Sequence, residues 1–147
     1  MTFEPRDPDW EQRTRDSHQA QFMMRTLGMS LLHVAPGEVD VGMPWDQRFC
    51  EGGGGLHGGT VSTGLDTVCA SAAVSLQAAA DSVLTAELKT NFLRHAVGDR
   101  FRFEGRVIKP GRTLVFTEGK AWAITDGREK LVATMSATMA VIPGGRA

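Results

Sequence analysis

The chain has 147 residues, 41% of them hydrophobic and 22% charged, the size and composition of one soluble globular domain with a core of its own and no need of a second. A net charge of -1 gives no bulk reason to expect nucleic acid as a partner. The first residues lack a basic stretch followed by an apolar one, and no run approaches membrane-spanning length, so the expectation is a cytoplasmic protein without membrane contact. Cys50 and Cys69 show neither metal-ligand spacing nor a disulfide framework, and His18, His33 and His95 have no spacing of a metal site.

In chain order, Asp7 before Pro8 reads as a helix start and Gly28 after Leu27 as its stop, which predicts a helix over about residues 8 to 27 docked by Trp10, Phe22, Met23 and Leu27. This forms an N-terminal helical extension over 1 to 27, with the main domain over 28 to 147. From Met29 to Met43 the pattern alternates, with Val39, Val41 and Met43 on one side and Pro36-Gly37 as a turn or bulge, the first strand region. Residues 44 to 57 form a loop long enough to suspect function. Its glycines, Gly52 to Gly55, suit a flexible loop that admits substrate, or a plain linker.

From Gly58 to Ala80, Val61, Leu65, Val68, Ala72, Leu76 and Ala79 recur at helical steps among other small residues, as a helix buried on several sides requires. Asp66 is the only charge in that run. A buried carboxylate is costly unless it is paired, hydrogen-bonded or used. Beyond Asp81 the period is two. Leu84, Ala86, Leu88 and Phe92 share one predicted face and Thr85, Glu87, Lys89 and Asn91 the other. Phe101, Phe103 and Val107 define the next strand, Pro110-Gly111 turns it, and Leu114, Phe116 and Trp122 carry the one after. Asp126-Gly127 marks a hairpin, and Leu131, Ala133, Met135, Ala137, Met139 and Val141 line the last strand. Four strands joined by hairpins after one very apolar helix imply an α+β fold, an antiparallel sheet wrapped around a long central helix. Its open face or edge is most simply covered by a second copy of the chain.

Three segments then combine: Leu56-His57-Gly58-Gly59 with Asp66 eight residues beyond Gly58; Val83 through Arg94; and Lys109-Pro110-Gly111-Arg112-Thr113. Together, over about residues 28 to 142, they resemble the hotdog-fold thioesterases of the PaaI-like type. The resemblance implies a homodimer, often paired again into a dimer of dimers, with active sites between subunits and acyl-coenzyme A as substrate. Coenzyme A is then part of the substrate, and no separate cofactor or metal is expected. By position, Asp66 matches the catalytic carboxylate, Gly58 the residue whose N–H meets the thioester oxygen, His57 the histidine beside it, and Thr85 a polar strand position that helps place water. Six residues before His57, where many relatives carry Asn or Gln, this chain has Glu51.

The chemistry fits the residue types. A helix start has free N–H groups and positive character, so Gly58 suits a developing oxyanion, and Gly59 next to it leaves the backbone open to substrate. Asp66 serves either as general base toward water or as nucleophile. The plainer readings stand beside these: Asp66 bonded to Ser62, Thr63 or main chain, His57 bracing the loop, Thr85 chosen for strand propensity, and Glu51 either a solvated charge or a second catalytic acid. Lys89, Arg94, Lys109 and Arg112, with the Gly111 turn, either meet coenzyme A phosphates or cover a solvated sheet face, and Asn91 and Phe92 border the cleft. A thioester hydrolase is the leading expectation, and a non-catalytic module binding acyl-coenzyme A is the alternative.

Overall fold

A computed structural model describes residues 2–145; the outermost residues of the two expected segments, 1, 146 and 147, lie outside it. Helices α1 (Trp10–Ala20) and α2 (Phe22–Leu27) precede strands β1 (Ser30–Ala35) and β2 (Glu38–Pro44). Helix α3 (Gly58–Val74) follows, then β3 (Ser82–Phe92), β4 (Arg100–Lys109), β5 (Leu114–Thr125) and β6 (Arg128–Ile142). The six strands form one antiparallel sheet in the order β1-β2-β4-β5-β6-β3, with α3 across its inner face. No helix among the described residues is long and apolar enough to cross a membrane.

The seat of α3 is set by glycines. A side-chain carbon at Gly105 of β4 would fall 2.2 Å from the Val68 carbonyl oxygen, and one at Gly64 of α3 would fall 2.6 Å from the Phe103 ring. Helix and strand therefore touch nearly backbone to backbone, and Val61, Leu65, Val68 and Ala72 are buried against Val39, Val41, Phe103, Val115 and Met135.

The expected helix over 8 to 27 is two helices, broken at Gln21, whose ψ of 116° is extended. Thr14 and His18 bury one stripe of α1, whereas Met24 and Leu27 are the buried residues of α2. A continuous helix would turn Met24 about 120° away from the His18 stripe, since each residue advances about 100°. The break resets that phase. Leu27 docks as expected, but Phe22 and Met23 stay 79% and 53% exposed, on the outside of α2. Gly28 ends the helix with a left-handed φ of 66°.

Helix α3 stops at Val74 rather than Ala80, and Arg13 of α1 takes up carbonyls at and just beyond its end. The guanidinium donates to Ala78 O at 2.8 Å, Val74 O at 3.0 Å and Gln77 O at 2.5 Å, and pairs with buried Asp7 at 2.9 Å. One side chain thus caps the helix and fastens the N-terminal segment to it.

Several strand expectations change. The first strand region is a hairpin, β1 and β2, turned at Gly37 with φ of 77°. The strands after α3 are not four successive hairpins: β3 lies at the far edge beside β6, while β4 lies beside β2. Residues 93–99 therefore cross the end of the sheet. A bulge between Thr85 and Glu87 also swaps the face of β3 midway. Leu84, Glu87, Lys89 and Asn91 consequently point outward, and Thr85, Leu88, Thr90 and Phe92 point to the α3 side. On β5 the buried side is Val115, Thr117, Gly119, Ala121 and Ala123, leaving Leu114 and Phe116 exposed and Trp122 half-buried on the outer face. On β6, Ala133 to Val141 line the inner face as expected, while a register shift beside Trp122 takes Leu131 off that face. The Asp126-Gly127 turn has both residues at positive φ, 50° and 73°.

Replacing Arg13 with Leu removes a donor from three carbonyls and leaves the buried Asp7 carboxylate without its cation. Thermal or denaturant unfolding should show a loss of about 3 kcal/mol; a loss under about 0.5 kcal/mol would mean that the cap is dispensable.

Candidate active site

Helix α3 begins with a nearly complete set of hydrogen bonds. His57 is its N-cap, and its Nδ1 accepts from the Gly59 N–H at 2.9 Å, which requires that ring nitrogen to be unprotonated. The N–H groups of Thr60 and Val61 donate to His57 O. Of the first four N–H groups, which no helix satisfies internally, that leaves Gly58. Among the described residues no acceptor meets it. It therefore sits as a bare donor at the positive end of a 17-residue helix.

Gly58 opens on a cleft of about 320 Å³, walled by Leu56, Val61, Phe92, Leu93, Ala96 and Val132, with Glu51, Arg94 and His95 supplying its polar groups. The Phe92 ring lies directly over Gly58: a side-chain carbon there would come within 3.3 Å of Phe92 Cζ. A side chain there would need the Phe92 ring to give by only a few tenths of an ångström.

The glycine loop before it is tied down rather than loose. Glu51 Oε2 accepts from the Gly53 N–H at 2.7 Å, and Oε1 accepts from the Gly55 N–H at 3.1 Å and from His95 Nε2 at 2.7 Å. The Glu51 N–H donates to Gly55 O at 2.9 Å, and the Trp45 indole donates to Gly54 O at 3.0 Å. These donors, chiefly Gly53 and then His95, hold the Glu51 carboxyl below its ordinary 4.5.

Asp66 lies two turns further along α3, half-buried, with Thr85 Oγ1 of β3 donating to its Oδ1 at 2.6 Å. Its partner is thus across the sheet edge rather than Ser62 or Thr63; Ser62 instead donates to Thr90 at 3.4 Å. The bond leaves Oδ2 unclaimed among the described residues. Eight residues of helix separate Asp66 from Gly58, about 12 Å along the axis.

Of the other residues singled out in the sequence, Arg94 lines the cleft, while Lys89 and Asn91 point off the opposite face of the sheet. Lys109, Gly111 and Arg112 sit at the β4–β5 turn, where Pro110 and Gly111 border Leu76 and Gln77 just beyond the C-terminal end of α3. The cationic segment is partly neutralised: Arg102 pairs with Asp40, Glu104 and Glu129, and Arg106 with Asp40 and Glu38. Of those acids Asp40 and Glu38 lie on β2, Glu129 on β6 and Glu104 on β4 itself. Burial pushes the Cys69 thiol up to about 12, so it stays protonated, and Cys50 is raised for the same reason. In the sequence His95 stands only as a histidine without metal-site spacing, because its partner is 44 residues away and no spacing signals the pair.

One helix wrapped by a single antiparallel sheet, with a bare N–H at its start and a lone acid facing the sheet's open edge, defines the hotdog class of fold. The sequence profile of the thioesterase superfamily matches residues 53–130, and the chain belongs to that superfamily. A thioesterase family protein of Silicibacter pomeroyi is 44% identical, with a TM-score of 0.90 over 91% of this chain and 98% of that one. A provisionally named esterase of Saccharolobus solfataricus is 32% identical over 68% of this chain and 71% of its own length. The PaaI protein of the E. coli phenylacetic acid degradation operon shares the fold at 19% identity, with a TM-score of 0.82 over 95% of this chain and 97% of that one.

Since the carboxylate of Glu51 is held below 4.5, its bonds to the loop persist as pH falls through that value and are lost only further down. NMR titration of the Gly53 and Gly55 amide protons should give a midpoint below 4.5; a midpoint at or above it contradicts the assignment.

Proposed function

We propose that the protein hydrolyses acyl-coenzyme A thioesters to the free acid and coenzyme A. The observation that carries this reading is the pairing, on one helix, of an unsatisfied Gly58 N–H with an acid whose second oxygen is left open by Thr85. The Gly58 N–H would take the negative charge that develops on the thioester oxygen; one such donor is worth about 3 kcal/mol in a transition state. Asp66 would either remove a proton from water or attack the carbonyl carbon, with Thr85 fixing its rotamer and leaving Oδ2 to react. His57 holds the helix start through Nδ1, and Glu51 braces the glycine loop instead of serving as a second acid.

The 12 Å between Gly58 and Asp66 prevents them from meeting on one carbonyl within a chain. A homodimer solves this. Strand β3 is an edge whose outer N–H and C=O groups lack a neighbour, and it exposes Leu88 and Phe92 at 41% and 56%. Pairing it with β3 of a second copy continues the sheet and sets the two α3 helices antiparallel, so that Asp66 of one chain faces Gly58 of the other. The same operation brings the β4–β5 turn, with Lys109, Gly111 and Arg112, toward the second copy's cleft, where Arg94 already lies and coenzyme A phosphates need cations. Exposed Leu84, Leu114 and Phe116 on the outer face give dimers a surface on which to pair again. Lys89 and Asn91 share that outer side and belong to it rather than to the cleft.

A thiol-release assay over short, medium and aromatic acyl-coenzyme A thioesters should find turnover. Asp66→Ala should reduce it at least about 100-fold with the fold intact by circular dichroism. Thr85→Val, which removes a hydrogen bond to a charged group, should cost about tenfold in kcat. Wild-type rates in Asp66→Ala contradict the mechanism, and saturable binding without turnover in the wild type favours a carrier or sensor.

A further inference from the structure

Strand β3 ends at one edge of the sheet and β4 begins three strands away, beyond β6 and β5, so residues 93–99 must cross the sheet end. The crossing is fastened to the strands at both ends. The N–H groups of Leu93 and Arg94 donate to Val132 O of β6, the Asp99 N–H donates to Ile124 O of β5, and the Trp45 N–H beyond β2 donates to Asp99 O. At its centre the Leu56 N–H donates to Ala96 O at 2.9 Å, and the His95 imidazole donates to Glu51. The crossing thus holds both ends of the glycine loop, Glu51 at one and Leu56 at the other, and Leu56 is two residues from Gly58.

The fit at this point is tight. A side-chain carbon on Gly55 would lie 2.5 Å from His95 Nε2 and 3.1 Å from Ala96 O, so the imidazole rests on bare backbone. Glu51 gathers three donors, of which two are amides of its own loop and only His95 comes from outside it. Without the imidazole the loop keeps its internal bonds but loses its side-chain tether to the crossing.

We propose that His95 is a positioning residue, which latches residues 51–55 through Glu51 and thereby holds the Gly58 N–H at the aim needed to polarise a thioester. This rests on the reading that Gly58 supplies the oxyanion donor. His95 itself does not touch the reacting atoms; it sets the orientation of a donor whose contribution falls steeply with misalignment.

His95 is exposed, with 55% of its side chain accessible, so its replacement leaves the core untouched. His95→Ala should lower kcat for acyl-coenzyme A hydrolysis about tenfold with KM changed less than about twofold, because an interaction realised in the transition state is what loosens. Hydrogen exchange at the Gly53 and Gly55 amides should accelerate in the same variant. His95→Gln, whose amide nitrogen can occupy the place of Nε2, should restore most of both. Faster exchange with unchanged kcat would overturn the proposal, leaving a loop brace without a role in the reaction. Unchanged exchange would overturn it as well, as would an equal loss of kcat in the Ala and Gln variants. A wild-type protein inert toward every thioester in the panel would instead remove the underlying reaction, before any His95 variant is examined.

Discussion

The constraint on which the molecule depends is the near-contact of α3 with the sheet beneath it. Gly105 and Gly64 admit the helix to within reach of strand backbone, and every functional position inherits its place from that seat. Asp66 can bond Thr85 only because the helix lies close enough to the sheet for a short carboxylate to reach the β3 edge. Gly58 meets the glycine loop because the same helix, pinned at its other end by Arg13, has its start fixed over the crossing between β3 and β4. Fewer small residues would lift the helix and separate both contacts.

That seat also divides the chemistry. A helix carries its donor at one end and, in this chain, its acid two turns on, and no rotation of side chains closes about 12 Å. Leaving β3 as an open edge is otherwise a liability, since a row of unpaired backbone groups invites association. In the proposed dimer that association would be the means by which the two halves join. The polar Thr85 and apolar Leu88 and Phe92 on the α3 side of β3 are consistent with an edge meant to be covered near a site, rather than with one defended by charge.

Much of this was legible in the residues. Period-two and helical spacing placed the sheet strands and α3, Gly28 and Asp126-Gly127 marked a helix end and a hairpin, and Asp66 stood out as the one charge in an apolar run. Local pattern failed where a single extra residue changes phase. The bulge after Thr85 turns Lys89 and Asn91 away from the cleft, and the break at Gln21 exchanges Phe22 and Met23 for Met24 in the core. It failed too where contacts are distant in sequence. Strand order is not encoded in spacing, so β3 was expected beside β4, and with that went the crossing that brings His95 to Glu51. The resemblance to thioesterases named Glu51 as a departure; the structure shows its carboxylate occupied by loop amides and an imidazole.

The central claim, a site shared between two copies, can be read from mixed dimers. Gly58→Pro deletes the free N–H at the helix position where proline is best tolerated, and His57 already holds φ of -58° and ψ of 140°, the extended conformation that precedes proline. Gly58→Pro and Asp66→Ala should each be inactive alone. Refolded together in equal amounts, they should recover about a quarter of wild-type turnover, because half of the dimers are mixed and each holds one intact site. Mixed dimers that form but remain inactive would contradict the shared site and place both groups' roles within a single chain.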